Sequence, residues 1–489
     1  MALMTLAFVP FYIKFMGIEA YGLVGFFSSL TVVFALLDMG LGRTLNRELA
    51  RRSVQSSNGQ HIRDLTRTLE VIYWGIAGLI ALIVLLLAPT ISNYWIKPQS
   101  LSAGTVKDAL LLMGLAIALQ FPCTFYAEGL LGLQRQVLWN GMLIGMSTFR
   151  AAGAVLVLWL VSPSIQAFFT WQIAASLLQT LLAAKLLWLS LPQSEISPKF
   201  RNDLLLNVWR FAAGMTGISV MAVILMQMDK IVLSKLLTLE MFGYYGLAST
   251  LASSLYVLVT PFFSAMFPRL SQLVAGRDLE ALKNLYHHGC QLLAVLVLPI
   301  ATVLALFAKE VLTIWTHDLL ISESTHLLAS LLVIGTALNG LMTIPYALQL
   351  AHGWTRLAFY QNVVAVILLV PLLILGTRLY GAIGAAIIWP ILNTGYVLIG
   401  IQLMHRRLLK SEKSRWYFQD VALPMIGSIT VASLARLWLP AGMSNSLNLM
   451  WLLAITCLAL MASACATPYT RNLLVKLVTK RADRGADAN

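Results

Sequence analysis

The chain alternates between long apolar runs and short polar ones. Fourteen apolar segments stand out: 1–16, 20–42, 68–91, 107–127, 138–161, 166–191, 211–235, 243–267, 289–309, 326–350, 358–377, 381–403, 420–440 and 448–466. Nearly all reach the length of about 20 residues that an α-helix needs to cross the hydrocarbon of a bilayer. The pattern predicts an all-α polytopic membrane protein with about 14 transmembrane helices. The polar stretches between them are too short to hold a soluble catalytic module, so no enzyme is expected.

The runs are not independent of one another. Lys14-x4-Glu19-x-Tyr21-Gly22-x-x-Gly25 returns as Lys235-x4-Glu240-x-Phe242-Gly243-x-x-Gly246, with every matched position displaced by the same interval. Gly114 matches Gly335, and Gly132 and Arg135 match Gly353 and Arg356, at that interval again. The repeat predicts two six-helix lobes, 1–191 and 211–405, joined by a linker at 192–210. Six is an even number, so the lobes share one orientation. They should be related by an axis along the membrane normal, as parallel repeats are. Segments 420–466 form two extra helices, and 467–489 is a basic tail. By the repeat, the first span starts about ten residues before Met1, so the chain is expected to begin inside its first helix; no secretory leader is expected.

Composition agrees. Hydrophobic residues make up 59% and charged residues 11%, with a mean hydropathy of +0.80; soluble domains carry about 25% charged residues. The net charge of +14 is spread over short loops. One side of the predicted topology holds 24 of the 34 Lys and Arg, and the opposite side six. That is the positive-inside pattern. It puts both termini in the cytoplasm and accounts for the basicity without nucleic acid as a partner.

Few residues carry chemistry. Cys123, Cys290, Cys457 and Cys465 form no paired motif and read as packing residues. His287 and His288 read as a solvated pair. No metal spacing or phosphate-binding glycine loop is present, so no metal, ATP or other cofactor is expected; proton or sodium coupling stays open. Charges inside spans are the stronger signal. Arg150 lies near the middle of 138–161, where a charge costs about 2.5–3.5 kcal/mol and faces a cavity by preference. It is expected to line a cavity between the lobes. Lys185 sits near the end of its span, placed either to line that cavity or to snorkel. Asp229 and Lys230 are adjacent in the seventh span. Asp38, Arg43 and Arg47 close the second, with Arg43 and Arg47 on one helical face. Arg436 lies outside the repeat and reads as structural.

The stretch Pro10-Phe-Tyr-Ile-Lys-Phe-Met-Gly-Ile-Glu-Ala-Tyr-Gly22, then Asp38-Met-Gly-Leu-Gly-Arg43 and Arg47-Glu-Leu-Ala, resembles the opening of bacterial polysaccharide and O-antigen flippases of the multidrug/oligosaccharidyl-lipid/polysaccharide superfamily. Asp229-Lys-Ile-Val-Leu-Ser-Lys235 and Gly381-Ala-Ile-Gly-Ala-Ala386 are similar to that family's seventh and twelfth spans. The resemblance covers about residues 8–405. It implies a V-shaped, alternating-access fold of two lobes and transfer of undecaprenyl-diphosphate-linked oligosaccharide across the bacterial inner membrane through a basic lumen. Arg150, Lys185, Asp229, Lys230, Asp38, Arg43 and Arg47 are the cavity candidates. An anionic lipid-linked oligosaccharide and membrane lipids are the implied ligands. A polysaccharide polymerase and a chain-length regulator are the candidate protein partners. Fourteen spans also fit a peptidoglycan-precursor flippase. A multidrug or cation antiporter of the same superfamily would favour acidic cavity residues. A membrane glycan ligase or polymerase would need larger outward loops.

Overall fold

The computed structural model describes residues 2–52, 59–203, 227–438, 444–473 and 475–476. The described residues are mostly helical, with short irregular connections and no strand among them. Eleven described helices are long and apolar enough to cross a membrane. Two of them hold two limbs each. α1 (Ala2–Phe34) breaks at Gly17, where φ is 83°, and the run 355–407 breaks at Gly381, where φ is 60°. Both are left-handed backbone conformations that favour glycine. Thirteen limbs result, and the predicted span 211–235 lies largely outside the described residues, so the arrangement is consistent with fourteen.

The chain forms two compact units, Met1–Gly243 and Tyr244–Asn489. The first contains α1, α2 (Leu41–Arg52), α3 (Gly59–Thr90), α4 (Ala103–Gly132), α5 (Gln136–Leu160) and α6 (Ile165–Ser190). After α1, a 3-10 turn and left-handed Met39 and Gly40 redirect the chain into α2. The Asp38 carboxylate accepts from the amides of Gly40 (3.1 Å) and Gly42 (3.2 Å), and it also receives the Tyr73 hydroxyl. It satisfies donors that the start of a helix leaves unpaired. The core of this unit is Leu41, Leu45, Leu49, Leu69, Tyr73 and Phe125, all at or near zero exposure.

The repeated motif has a structural explanation. Glu19 accepts hydrogen bonds from three consecutive amides, Gln99 (2.5 Å), Ser100 (2.9 Å) and Leu101 (3.2 Å), and from the Ser100 hydroxyl. It fixes the loop that leads into α4. The start of the second copy packs on the neighbouring loop. Leu239 N donates to Lys97 O (2.9 Å), Trp95 Nε1 donates to Ser234 (3.0 Å), and Lys235 lies over the Trp95 ring at 4.8 Å.

The second unit runs through α7 (Leu239–Ser253, which begins in the first unit), α8 (Tyr256–Ala275), α9 (Leu279–Leu306), α10 (Ala308–Thr316), α11 (Leu319–Leu341), α12 (Thr343–Ala351) and α13 (Thr355–Gly395). It ends in α14 (Ile401–Arg407), α15 (Leu423–Leu437) and α16 (Asn445–Ala466). Asp278 and Asp318 cap α9 and α11 through Ala281 N, Leu320 N and Ile321 N. Arg436 pairs with Glu310 and lies over the Phe307 ring, the structural role its sequence position suggests. His287 departs from expectation. It is fully buried, with Nδ1 2.5 Å from Asp420 and Nε2 3.2 Å from Glu412, and Gln291 donates to Asp420 at 2.8 Å. His288 stacks on Tyr469 at 3.7 Å. Two adjacent histidines point to different sides of a helix, and only carboxylates distant in sequence reveal which side is buried.

Candidate functional site

The first unit lines an open cavity of about 870 Å³. Both limbs of α1 line it, through Phe8 and Tyr12 before Gly17 and through Val24, Phe27 and Ser28 after it. α4, α5 and α6 complete the wall. Its two ends differ in polarity. One is built around Arg150 and Gln120; the other holds Asp38, Gly40, Arg43 and Glu128. Gln120 and Glu128 lie eight residues apart on α4, about 12 Å along the helix axis.

Arg150 is placed by α6. Gly153, one turn along α5, sits directly beneath the Trp171 ring, where no Cβ fits. Trp171 Nε1 donates to Arg150 O at 2.9 Å. With α5 held this closely, the guanidinium reaches across to α6. Nη1 donates to Gln172 Oε1 (3.0 Å), Ser176 Oγ (3.2 Å) and Gln120 Oε1 (3.4 Å), and Nη2 donates to Gln179 Oε1 (2.8 Å). Gln172, Ser176 and Gln179 are buried and recur at a spacing of four and three residues, so they share one face of α6. All four partners are neutral, and no described carboxylate pairs with Arg150. The ring of amides orients the fork and leaves its charge uncompensated. Such a fork suits a bidentate anion such as a phosphate or carboxylate.

The opposite end is of mixed sign. Arg43 is exposed to the cavity. Asp38 is committed to the start of α2 and to Tyr73, and Glu128 accepts from Asn46 Nδ2 at 2.7 Å. The lining therefore carries two arginines and two carboxylates rather than a uniformly basic wall. Among the seven sequence candidates, the cavity brings together Arg150, Arg43 and Asp38. Arg47 points away, half-exposed and paired with Glu48 at 3.3 Å. Lys185 is exposed on α6 and does not line the cavity. Asp229 and Lys230 are half-buried on the helical stretch 227–236, also outside the lining.

The residues missed from sequence are the amide ring and Glu128. A Gln-x3-Ser-x2-Gln stripe inside an otherwise apolar span was the available signal. Neutral polar residues cost less in a membrane than charges do, so they stand out less.

Among its described residues, the second unit has no such ring. The position that the repeat pairs with Arg150 is Pro371. One chain of its interior polar groups is internally paired: Tyr256 OH donates to Asn339 Oδ1 (3.0 Å), Asn339 Nδ2 to Asn393 Oδ1 (2.8 Å), and Asn393 Nδ2 to Trp389 O (2.8 Å).

Comparison with known proteins adds three findings. A family model described as polysaccharide biosynthesis protein matches residues 14–317. A Shigella flexneri protein carrying the provisional name O-antigen transporter is 22% identical over 393 residues, covering 80% of this chain and 91% of its own. Among solved structures, the lipid II flippase MurJ in an inward closed conformation superposes with a TM-score of 0.70 at 14% identity, covering 96% of this chain and 97% of its own. An inward-facing multidrug resistance MATE family transporter of the MOP superfamily does so with a TM-score of 0.68 at 13% identity, covering 84% and 96%.

Proposed function

Because the chain belongs to the polysaccharide biosynthesis protein family, we propose that it is a flippase. In this reading it carries an undecaprenyl-diphosphate-linked oligosaccharide, such as an O-antigen repeat unit, across the bacterial inner membrane by alternating access. Both termini face the cytoplasm, and no covalent step is catalysed. One observation carries the reading: the Arg150 guanidinium lies on a cavity wall, oriented by four neutral oxygens and paired with no described carboxylate.

The head group of such a lipid is anionic and cannot enter hydrocarbon unaided. A buried cation with an unspent charge offsets that cost when the anion arrives. Aromatic walls from Phe8, Tyr12, Trp139 and Phe168 offer flat surfaces to sugar rings. The superfamily's drug exporters are a poorer fit, since a cationic substrate would meet Arg150. A peptidoglycan-precursor flippase is the second reading, favoured by the fold shared with MurJ over nearly the whole chain.

The test is reconstitution in vesicles with a fluorescent lipid-linked oligosaccharide on one leaflet. Transfer by wild type, abolished in Arg150→Ala, supports the proposal. Transfer of lipid II in preference to surface-polysaccharide units moves the protein to the second reading. Equal transfer by a well-folded Arg150→Ala variant sinks the proposed role of the cavity.

A further inference from the structure

The segment that follows α6 is bound to α3 along its length. Leu191 ends α6 in extended backbone, with ψ at 148°, as a residue before proline prefers. Pro192 packs against the start of α3, where a Cβ on Gly59 would stand 3.3 Å from the Pro192 Cβ. Arg63 Nη1 donates to Pro192 O at 3.2 Å, and the same guanidinium lies over the Trp188 ring at 5.5 Å. The first residue of the segment is thus fixed on both α3 and the end of α6.

From Ser194 to Arg201 the segment runs along one face of α3. Gln60, Asp64 and Thr68 are four residues apart and share that face. Gln60 Oε1 accepts from Ser194 Oγ at 2.6 Å, and Gln60 Nε2 donates to Ser197 O at 3.4 Å and to Asp64 Oδ1 at 2.8 Å. Asp64 Oδ1 also accepts from Lys199 N at 2.9 Å, and Thr68 Oγ1 accepts from Arg201 N at 2.9 Å. Residues 197, 199 and 201 therefore each turn a backbone group to the helix. The two spacings match. Two residues of extended chain rise about 6.6 Å, and four residues of α-helix rise about 6 Å.

Pro198 fits this register. Its missing N–H belongs to the opposite edge of the extended chain, its fixed φ suits that chain, and it confines Ser197 to extended backbone as well. Side-chain burial does not hold the segment, since Ile196 and Phe200 remain 59% and 46% exposed. The acceptors are buried instead, Asp64 at 6% and Thr68 at 0% exposure. The hold comes from backbone groups set against a matching row of polar side chains.

We propose that residues 192–201 are a strap held in fixed register on α3, a rigid extension of the first unit that stays in place during transport. A linker is the usual place for a hinge; the polar row on α3 withdraws this part of the linker from that role. Its immobility during transport rests on the flippase reading, and its attachment to α3 does not.

The first experiment is hydrogen exchange of the purified full-length protein, resolved to single amides and read relative to intrinsic rates. Phe200 lies between two bonded amides and donates to no described acceptor. Lys199 and Arg201 should exchange about tenfold more slowly than Phe200, the effect of about 1.4 kcal/mol. This alternation marks an extended chain bonded along one edge, and wild type alone reports it. Asp64→Ala should speed the exchange of Lys199, and Thr68→Val that of Arg201, while Thr68→Ser should keep Arg201 slow. Three amides that exchange alike in wild type, or variants that leave both rates unchanged, overturn the strap. The second experiment locks it. Gln60→Cys/Ser197→Cys, in a background where the exposed Cys457 and Cys465 are replaced by serine, is bridged with a short bis-methanethiosulfonate and later released with reductant. The bridged protein should move a fluorescent lipid-linked oligosaccharide at the unbridged rate. Transport that stops on bridging and returns on reduction shows that the strap must release, and overturns its rigid role. Absence of transport in unbridged wild type counts against the flippase reading, and hydrogen exchange then decides the strap by itself.

Discussion

Gly22 and Gly243 occupy the same place in the two copies of the repeated motif, and each lies against the other copy. A Cβ on Gly22 would come within 2.5 Å of Leu239 O, and one on Gly243 would overlap Ile18 O. Leu239 is itself the repeat partner of Ile18. The contact is reciprocal, and all four residues belong to the first unit. The obstacle on each side is a backbone carbonyl, which cannot rotate away. Gly22→Ala and Gly243→Ala should each cost about 1–3 kcal/mol by overpacking. The melting temperature of the detergent-purified protein should fall for both. Gly25→Ala is the control: its new methyl would meet Phe242 at 3.6 Å, an ordinary contact, and should leave melting unchanged.

The Arg150 ring predicts an inverse relation between stability and transport. Gln179→Glu keeps the side chain's volume and places a carboxylate where Oε1 now accepts from Nη2 at 2.8 Å. The new pair neutralises the guanidinium, so melting temperature should rise while surface glycan falls toward the level of Arg150→Ala. Arg150→Lys should restore glycan only in part, because an ammonium lacks the planar fork. A Gln179→Glu strain with full glycan display would show that the charge of Arg150 is not what the cavity uses.

Asp38 is expected to act through α2 rather than through a ligand. Its oxygens are occupied by Gly40 N, Gly42 N and Tyr73. Asp38→Ala should cost about 0.5–2 kcal/mol, as lost caps do, and Asp38→Asn should retain most stability and export. Export abolished by Asp38→Asn in stably folded protein would return Asp38 to the binding residues.

These contrasts mark what the sequence discloses. Apolar runs and the internal repeat are visible because bilayer thickness and a duplicated fold constrain many positions at once. The family's opening motif is visible for the same reason. Arg150 is legible because a charge near the middle of a span needs a cavity. Its neutral partners on α6 and on Gln120 are not legible, since their convergence depends on how α4, α5 and α6 pack. Asp38 reads as a cavity candidate in sequence, and Glu19 only as part of the repeated motif. They turn out to hold backbone amides, a use that no side-chain pattern signals. Lys185 shows the limit of depth as a guide: its distance from the end of the span is ambiguous, and only the helix face decides.

The buried cluster around His287 yields the last prediction. Both ring nitrogens face carboxylate oxygens, Asp420 at 2.5 Å and Glu412 at 3.2 Å. The cluster ties α9 to the segment 412–420 that leads into α15. Asp420→Ala leaves His287 Nδ1 and Gln291 Nε2 without their buried acceptor and should cost about 1–3 kcal/mol. Glu412 gives the arrangement a pH dependence. Burial raises its carboxyl, but His287 and Lys283 outweigh this and leave it below the ordinary value of 4.5. A carboxyl lowered in the folded state adds stability that is present above its unfolded value and lost as pH falls through the folded one. Wild type should therefore melt higher than Glu412→Gln at pH 7, and the difference should shrink as pH falls below the ordinary carboxyl value. The side chain is only partly withdrawn from water, so the difference should stay small beside the effect of Asp420→Ala. A gap between wild type and Glu412→Gln that stays constant down to the acid end would mean that Glu412 acts by packing and not by charge.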